Sequence, residues 1–364
     1  MTKREINMKI FEKKKIPGIF FQPRMEWWYL YHKMKGTLPE TYSKMSLLDF
    51  FDDIDVSIRY FSYATGLPEA KEKKYTEAVK VEELTEDREK TVSIFTPGGN
   101  LVSKLRLALD GDWRIVKFPV ETPEDIENAL WLFENIIYSF SKDNFEKGAE
   151  FVGERGEPQI FLPRSGYSEL LIEWMGFENL IYGLADYPDK IEMLMRVIDS
   201  SQDSFFEEIT AYGKIKIVNF GENVDSSLFP PRYFEKYCIP YYEKRARQLK
   251  KAGIYTHIHI DGDCKSLLKY FKDLSFDGFE ALTPLSQGDV TLEEIKEAIG
   301  DKILLDGIPA IFLLPNYPIE EFQAFTKKLI EMFYPNLILG VSDEVPPPAD
   351  IERIRWISRY CRQR

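Results

Sequence analysis

The sequence predicts an α/β protein: a (β/α)8 TIM-type barrel with an N-terminal insertion that contains antiparallel strands. Three observations carry this. Short apolar or β-branched runs recur eight times, and most are followed by a long helical pattern; strands alternating with helices build a parallel sheet. The runs are short and mostly apolar, as strands covered on both faces should be. The 364 residues lie within the range of one such barrel, so residues 1–364 read as a single domain.

The elements follow in order. "PGIFFQ" (17–22) is the first run. "RIVKFPV" (114–120) is the second; after it Thr122 reads as an N-cap, Pro123 sits at the first helical position, and acids fill the first turn. "PQIFLP" (158–163) precedes "SELLIEWMG" and "FENLIYGLADYP". "KIKIVNF" (214–220) precedes a helix starting near Pro231. "IYTHIHI" (254–260) precedes "KSLLKYFKDL", and "GFEALTP" (278–284) precedes "DVTLEEIKEAIG". "KILLDG" (302–307) precedes "IEEFQAFTKKLIEMF", and "NLILGVSD" (336–343) precedes "DIERIRWISRYC". The first connection, 23–113, is too long for one helix and is expected to hold the insertion. Within it "TVSIFT", a "PGGN" turn, "LVSKLRLAL" and a "DGD" turn read as antiparallel strands. The run 69–90 has 14 charged residues in 22, with mixed signs, and reads as a solvated excursion. "EWWYLYHKM" reads as an amphipathic helix packed across the barrel mouth rather than a ligand-stacking wall.

Bulk composition narrows the function. The formal charge of −12 gives no basic footprint for nucleic acid. No apolar run approaches the ~18 residues of a membrane span. The three cysteines, Cys238, Cys264 and Cys361, are too few and too scattered for a disulfide framework. The opening residues have no apolar signal core, so a reducing cytoplasm is the expected location.

Barrel enzymes carry their sites past the carboxyl ends of the strands. Past the expected strands lie Arg24; Glu121; Arg164 and Ser165; Glu222, Asn223 and Asp225; His259, Asp261 and Asp263; Thr283; Asp306; and Ser342, Asp343 and Glu344. Strand alternation puts His257, His259 and Asp261 on one face. His257 lies deeper and reads as a hydrogen-bonded core histidine, whereas His259 is at the rim. His259 and Asp261 could ligate a metal, with Asp343 or Glu344 completing the shell. Alternatively Asp261 and Asp263 cap a helix beginning near Cys264. There is no phosphate loop, dinucleotide fingerprint or nucleophile elbow.

Several ordered segments carry a family resemblance. "TPGGNLVSKLRL…VKFPVETPEDI", "GENVDSSLFPPRYFEKYCIPYYEKRARQLKKAG", "HIDGDCKSLLKYF", "LTPLSQGDVTLEEIKEAIGDKILLDGI" and "ILGVSDEVPPPADIERI" make the chain similar to the uroporphyrinogen decarboxylase superfamily from about 17 to 360. The resemblance implies an α/β barrel and two candidate activities. Uroporphyrinogen decarboxylases need no cofactor; here Asp225 or Asp261 would stabilise the pyrrole cation while Arg24 and Arg164 hold carboxylates. Their two-arginine "RQAGRYLPEY"-like segment is reduced to Arg24 in "FQPRMEWWYLYHKMKGTLPETY". The corrinoid-dependent methyltransferases bind zinc through an "H-x-C-G" motif and a later cysteine. "HIDG" matches with Asp261 in place of the cysteine, and "GVSDE" has none, so a harder set of His259, Asp261 and Asp343 would hold zinc or another divalent metal. The methyltransferase branch is the preferred expectation, with His259, Asp261, Asn223 and Asp225 catalytic and Arg24, Arg164, Asp343 and Glu344 binding substrate. Expected partners are a small-molecule substrate and a corrinoid protein; a homodimer stays open. The third alternative is a non-catalytic tetrapyrrole- or corrinoid-binding protein.

Overall fold

The computed structural model describes residues 1–108 and 111–363. Its strands are β1 (Lys71–Tyr75), β2 (Lys80–Glu86), β3 (Glu89–Thr96), β4 (Gly99–Leu107), β5 (Trp113–Lys117), β6 (Ile136–Phe140), β7 (Ile160–Phe161), β8 (Ile217–Val224), β9 (Tyr255–Ile260), β10 (Gly278–Glu280), β11 (Ile303–Ile308) and β12 (Leu337–Val341). β7 to β12 pair in chain order as a parallel sheet with helices between, an α/β fold of TIM-barrel type. Two short extended segments join its edges. Residues 20–22 pair with β12, where Gln22 N donates to Leu339 O and Leu339 N to Phe20 O. Residues 57–60 lie between 20–22 and β7: Ser57 N donates to Phe21 O, and Gln159 N to Arg59 O.

This corrects the second strand. The run 114–120 does not enter the parallel sheet; its core is β5, at the edge of the antiparallel sheet β2-β3-β4-β5. Residues 57–60 occupy the place next to the first segment instead. The reason is chemical. "VSIRY" carries Arg59, whose burial needs partners that only the folded chain supplies. "WRIVK" has the half-buried alternation of a strand with one wet face. The β3–β4 hairpin forms as expected around Pro97-Gly98, whereas Leu109 and Asp110, where the last turn begins, lie outside the described residues. The charged stretch 69–90 holds β1 and β2, and β1 pairs with β6. Thr122 caps the helix Pro123–Glu134 in a capping box with Asp125.

The first helix, Lys3–Phe11, closes the amino-terminal end of the sheet. Its Ile10 and Phe11 pack with Phe20, Ile217, Ile303, Leu305 and Ile338 in an apolar layer. Above that layer the interior turns polar. Asn219, His257, Glu280, Arg59 and Asp306 are all buried there. The helix Glu26–Lys35 packs as a wall, with Trp28 against Phe50 and its indole N–H on Ala349 O. No helix among the described residues is long and apolar enough to cross a membrane.

Candidate active site

The carboxyl end of β9 sets the site. By alternation Tyr255, His257 and His259 face the sheet interior, at successive heights. His257 is the deep one. Its Nδ1 accepts from Asn219 (3.1 Å) and its Nε2 donates to Gln159 Oε1 (2.7 Å). Burial drives its pKa down to about 3, so it stays neutral.

His259 sits one step higher, against Glu280 of β10, which pairs with it across the ladder. Its Nδ1 lies 3.1 Å from Glu280 Oε2, while Nε2 lies 3.6 Å from Asp343 Oδ1. Burial alone would strip the ring of its proton. The Glu280 hydrogen bond and charge, helped by Asp343 and opposed by Arg24, outweigh burial and raise its proton affinity. Glu280 also accepts from Arg59, Tyr60 and Asn219. Burial would push its carboxyl up, but Arg59 and the His259 hydrogen bond hold it well below the usual range. Arg59 is gripped from the other side by Asp306, at 2.8 and 3.0 Å, and Nε donates to Gln22 Oε1 at 3.1 Å.

Four strand ends carry strained backbone. Asn223, Ala281, Asp306 and Asp343 have φ of 52°, 62°, 80° and 65°, a region that costs non-glycine residues about 1–3 kcal/mol and recurs at functional sites. At Asp306 it breaks strand alternation. Leu305 joins the apolar layer, yet Asp306 also reaches the interior.

A cavity of about 450 Å³ opens above His259, lined by Arg24, Arg164, Asn223, Asp343 and Glu344 among others. Arg24 donates to Asp343 at 2.9 Å and stands 4.5 Å over the Tyr63 ring, whose hydroxyl donates to Glu344 at 2.5 Å. Arg164 pairs with Glu173 at 3.0 Å. The insertion supplies another wall: Glu69, Lys71, Asp112 and Arg114.

The family model for uroporphyrinogen decarboxylase matches residues 169–364, more than half of the chain. The chain belongs to the uroporphyrinogen decarboxylase family. Its solved relatives in shape include a methyltransferase from Methanosarcina mazei, 14% identical, with a TM-score of 0.60 over 99% of this chain and 98% of that one. At that identity the likeness is one of fold. A Listeria monocytogenes protein provisionally described as a vitamin-B12 independent methionine synthase is 13% identical, with a TM-score of 0.39 over 95% and 94% of the two chains. No curated protein matches in sequence.

Against this family background, six of the eight expected site residues converge on one cavity: Arg24, Arg164, Asn223, His259, Asp343 and Glu344. The other two do not line it. Asp225 accepts from Ser227 N (2.7 Å) and Asp263 N (3.3 Å), so it fastens two loops together. Asp261 stands exposed at the rim, within electrostatic reach of His259, Asp343 and Asp225. Neither Asp261 nor Asp263 caps the turn after Cys264. Asp289 does, accepting from Cys264 N and Lys265 N.

The donor set does not fit a metal. Asp343 is held by a guanidinium, Asp261 stands exposed at the rim, and all three cysteines are buried. Among the described residues no cluster of three His, Cys, Asp or Glu could hold an ion. Sequence reasoning missed Arg59, Tyr60, Asn219 and Glu280 as site residues. The one available signal was a lone acid inside the apolar run "GFEAL".

Proposed function

We propose that this family member is a methyltransferase working with a corrinoid protein, and that His259 is its proton donor. The observation that carries this is the His259–Glu280 pair, with Nδ1 tied to a buried carboxylate and Nε2 facing the cavity. That arrangement raises the ring's affinity for a proton and aims its second nitrogen at bound substrate. In the reaction the bond from the methyl carbon to a heteroatom X breaks. The corrinoid of the partner protein would supply the nucleophilic methyl acceptor. The electron pair stays on X, Nε2 delivers its proton there, and HX–R leaves.

The cavity's charge argues for a small polar substrate over uroporphyrinogen. Its lining has four cations, Arg24, Lys71, Arg114 and Arg164, and four anions, Glu69, Asp112, Asp343 and Glu344. A substrate with eight carboxylates needs a large surplus of fixed cations, and this lining has a surplus of one when His259 is protonated.

The test supplies the purified protein with cob(I)alamin and a panel of methoxy, methylthio and methylamino compounds. Methylcobalamin should appear in the absorbance spectrum, and His259→Asn should slow it about 100-fold, as loss of a general acid does. No methylcobalamin from any donor, together with carbon dioxide release from uroporphyrinogen, overturns the proposal in favour of decarboxylation.

A further inference from the structure

The floor of the cavity has a notch where β8 carries no side chain. β8 sends Ile217, Asn219 and Gly221 to the interior at rising heights. Ile217 joins the apolar layer, Asn219 meets His257, and Gly221 lines the cavity beside Phe161 of β7. A Cβ built on Gly221 would lie 3.2 Å from the Phe161 ring and 3.7 Å from Asn219 Oδ1. The backbone does not ask for glycine here. Gly221 has no positive φ, and the left-handed residue that accompanies the shift in the β8–β9 ladder is Asn223. A glycine inside a strand otherwise marks close approach by another group.

Under the notch lies an amide oxygen. Asn219 is fully buried, and its Nδ2 donates to Glu280 and to His257 Nδ1. Turning the amide over would set Oδ1 against the Glu280 carboxylate, so the network fixes its orientation. Oδ1 is left facing the notch, with no hydrogen-bond partner among the described residues. A buried oxygen is costly to leave without a donor. The wall beside it is firm: the Phe161 ring stacks on Tyr60 at 4.2 Å, and the Tyr60 hydroxyl is tied to Glu280. We propose that the notch is a subsite for a hydrogen-bond donor of the ligand, an O–H or N–H that reaches Asn219 Oδ1 past Gly221. This deepens the functional reading, and rests on it in taking this cavity as the substrate site. It assigns the substrate class: a molecule whose inner end carries a hydroxyl or an amine.

Binding of phenol, aniline and toluene to the full chain tests this without corrinoid or turnover. The probes share a ring and differ in one group, O–H, N–H or methyl. Their affinities are measured by NMR titration for the parent chain and for Gly221→Ala. The alanine methyl fills the notch, so the affinity of phenol or aniline relative to toluene should fall about tenfold. The ratio is the readout because a general disturbance of the floor weakens all three probes alike. A fall for either donor supports the proposal and names the group preferred. Unchanged ratios, or no binding of phenol and aniline to the parent, overturn it. If Gly221→Ala does not fold, a crystal structure of the parent with phenol decides. A phenol hydroxyl about 3 Å from Asn219 Oδ1 supports the proposal; phenol placed otherwise, or a water that keeps Oδ1, overturns it. The two readings fail separately. If the ratios fall while no methoxy, methylthio or methylamino compound yields methylcobalamin, the functional reading fails and the subsite stands. If methylcobalamin forms and the ratios hold, the subsite alone fails.

Discussion

Replacing Glu26 by Gln should stabilise the protein, and only at high pH. Glu26 opens the helix Glu26–Lys35, is 2% exposed, and its Oε2 has no hydrogen-bond partner. The two nearest guanidinium groups are already engaged, Arg24 by Asp343 and Arg59 by Asp306 and Glu280. Burial therefore raises its pKa from 4.5 to about 7. A carboxyl whose folded pKa is raised binds more protons folded than unfolded between the two values, so stability falls as pH rises through that window. At ~1.4 kcal/mol per unit the full penalty is about 3 kcal/mol, and about 2.5 kcal/mol of it develops between pH 5 and pH 8.5. Glutamine keeps the shape and removes the titration. Urea unfolding followed by tryptophan fluorescence at the two pH values measures the difference. Glu26→Gln should exceed the parent chain by about 3 kcal/mol at pH 8.5 and by less than about 1 kcal/mol at pH 5. A gap between the two chains that does not change with pH would refute the reasoning, as would a variant weaker than the parent at pH 8.5.

Other outcomes follow from the same structure. Gly340→Ala puts a methyl group against Asp306 Oδ1 and within 3.1 Å of Gln22 O, so it should cost about 1–3 kcal/mol, read as a lowered melting temperature; an unchanged value counts against the close approach. Lys73 pairs with Glu169 at 3.2 Å and lies 5.3 Å over the Trp174 ring. Lys73→Met should cost about 1 kcal/mol, because the Lys73 ammonium arm is partly in solvent, and the double change with Glu169→Leu should recover most of it; no recovery would mean the pair is not what matters. Added zinc should leave the melting temperature unchanged, because Arg24 already holds Asp343 and among the described residues no cluster of three donors stands ready. A clear rise that disappears in His259→Ala would show a metal site after all.

Seven of the eight strand positions were legible in the sequence because apolar runs between helix signals report burial on two faces. The second was not. Residues 57–60 carry Arg59, and a strand with a buried arginine looks like a loop until Glu280 and Asp306 are known to meet it. The site was legible in the same uneven way. His259, Arg24 and Asp343 stand where strand ends should place polar groups. Glu280 sits inside a strand, and its importance comes from four partners brought from three other stretches of chain. Asp225 misled because its neighbours fit the pattern while its own carboxylate serves the Ser227 and Asp263 backbone. Such non-local pairing leaves no period in the sequence.

The wall built by Glu69, Lys71, Asp112 and Arg114 has an evolutionary consequence. These residues belong to the stretch between the second and third segments of the parallel sheet, whereas His259, Glu280 and Asp306 are fixed by strands that share one hydrogen-bond ladder. Drift in the excursion can reshape what the cavity admits while the buried hydrogen bonds of His259, Glu280 and Asp306 stay in register. A lineage can therefore change what the cavity admits by editing the exposed positions of this stretch, so long as Ala70, Ile94 and Leu101 keep their places in the core.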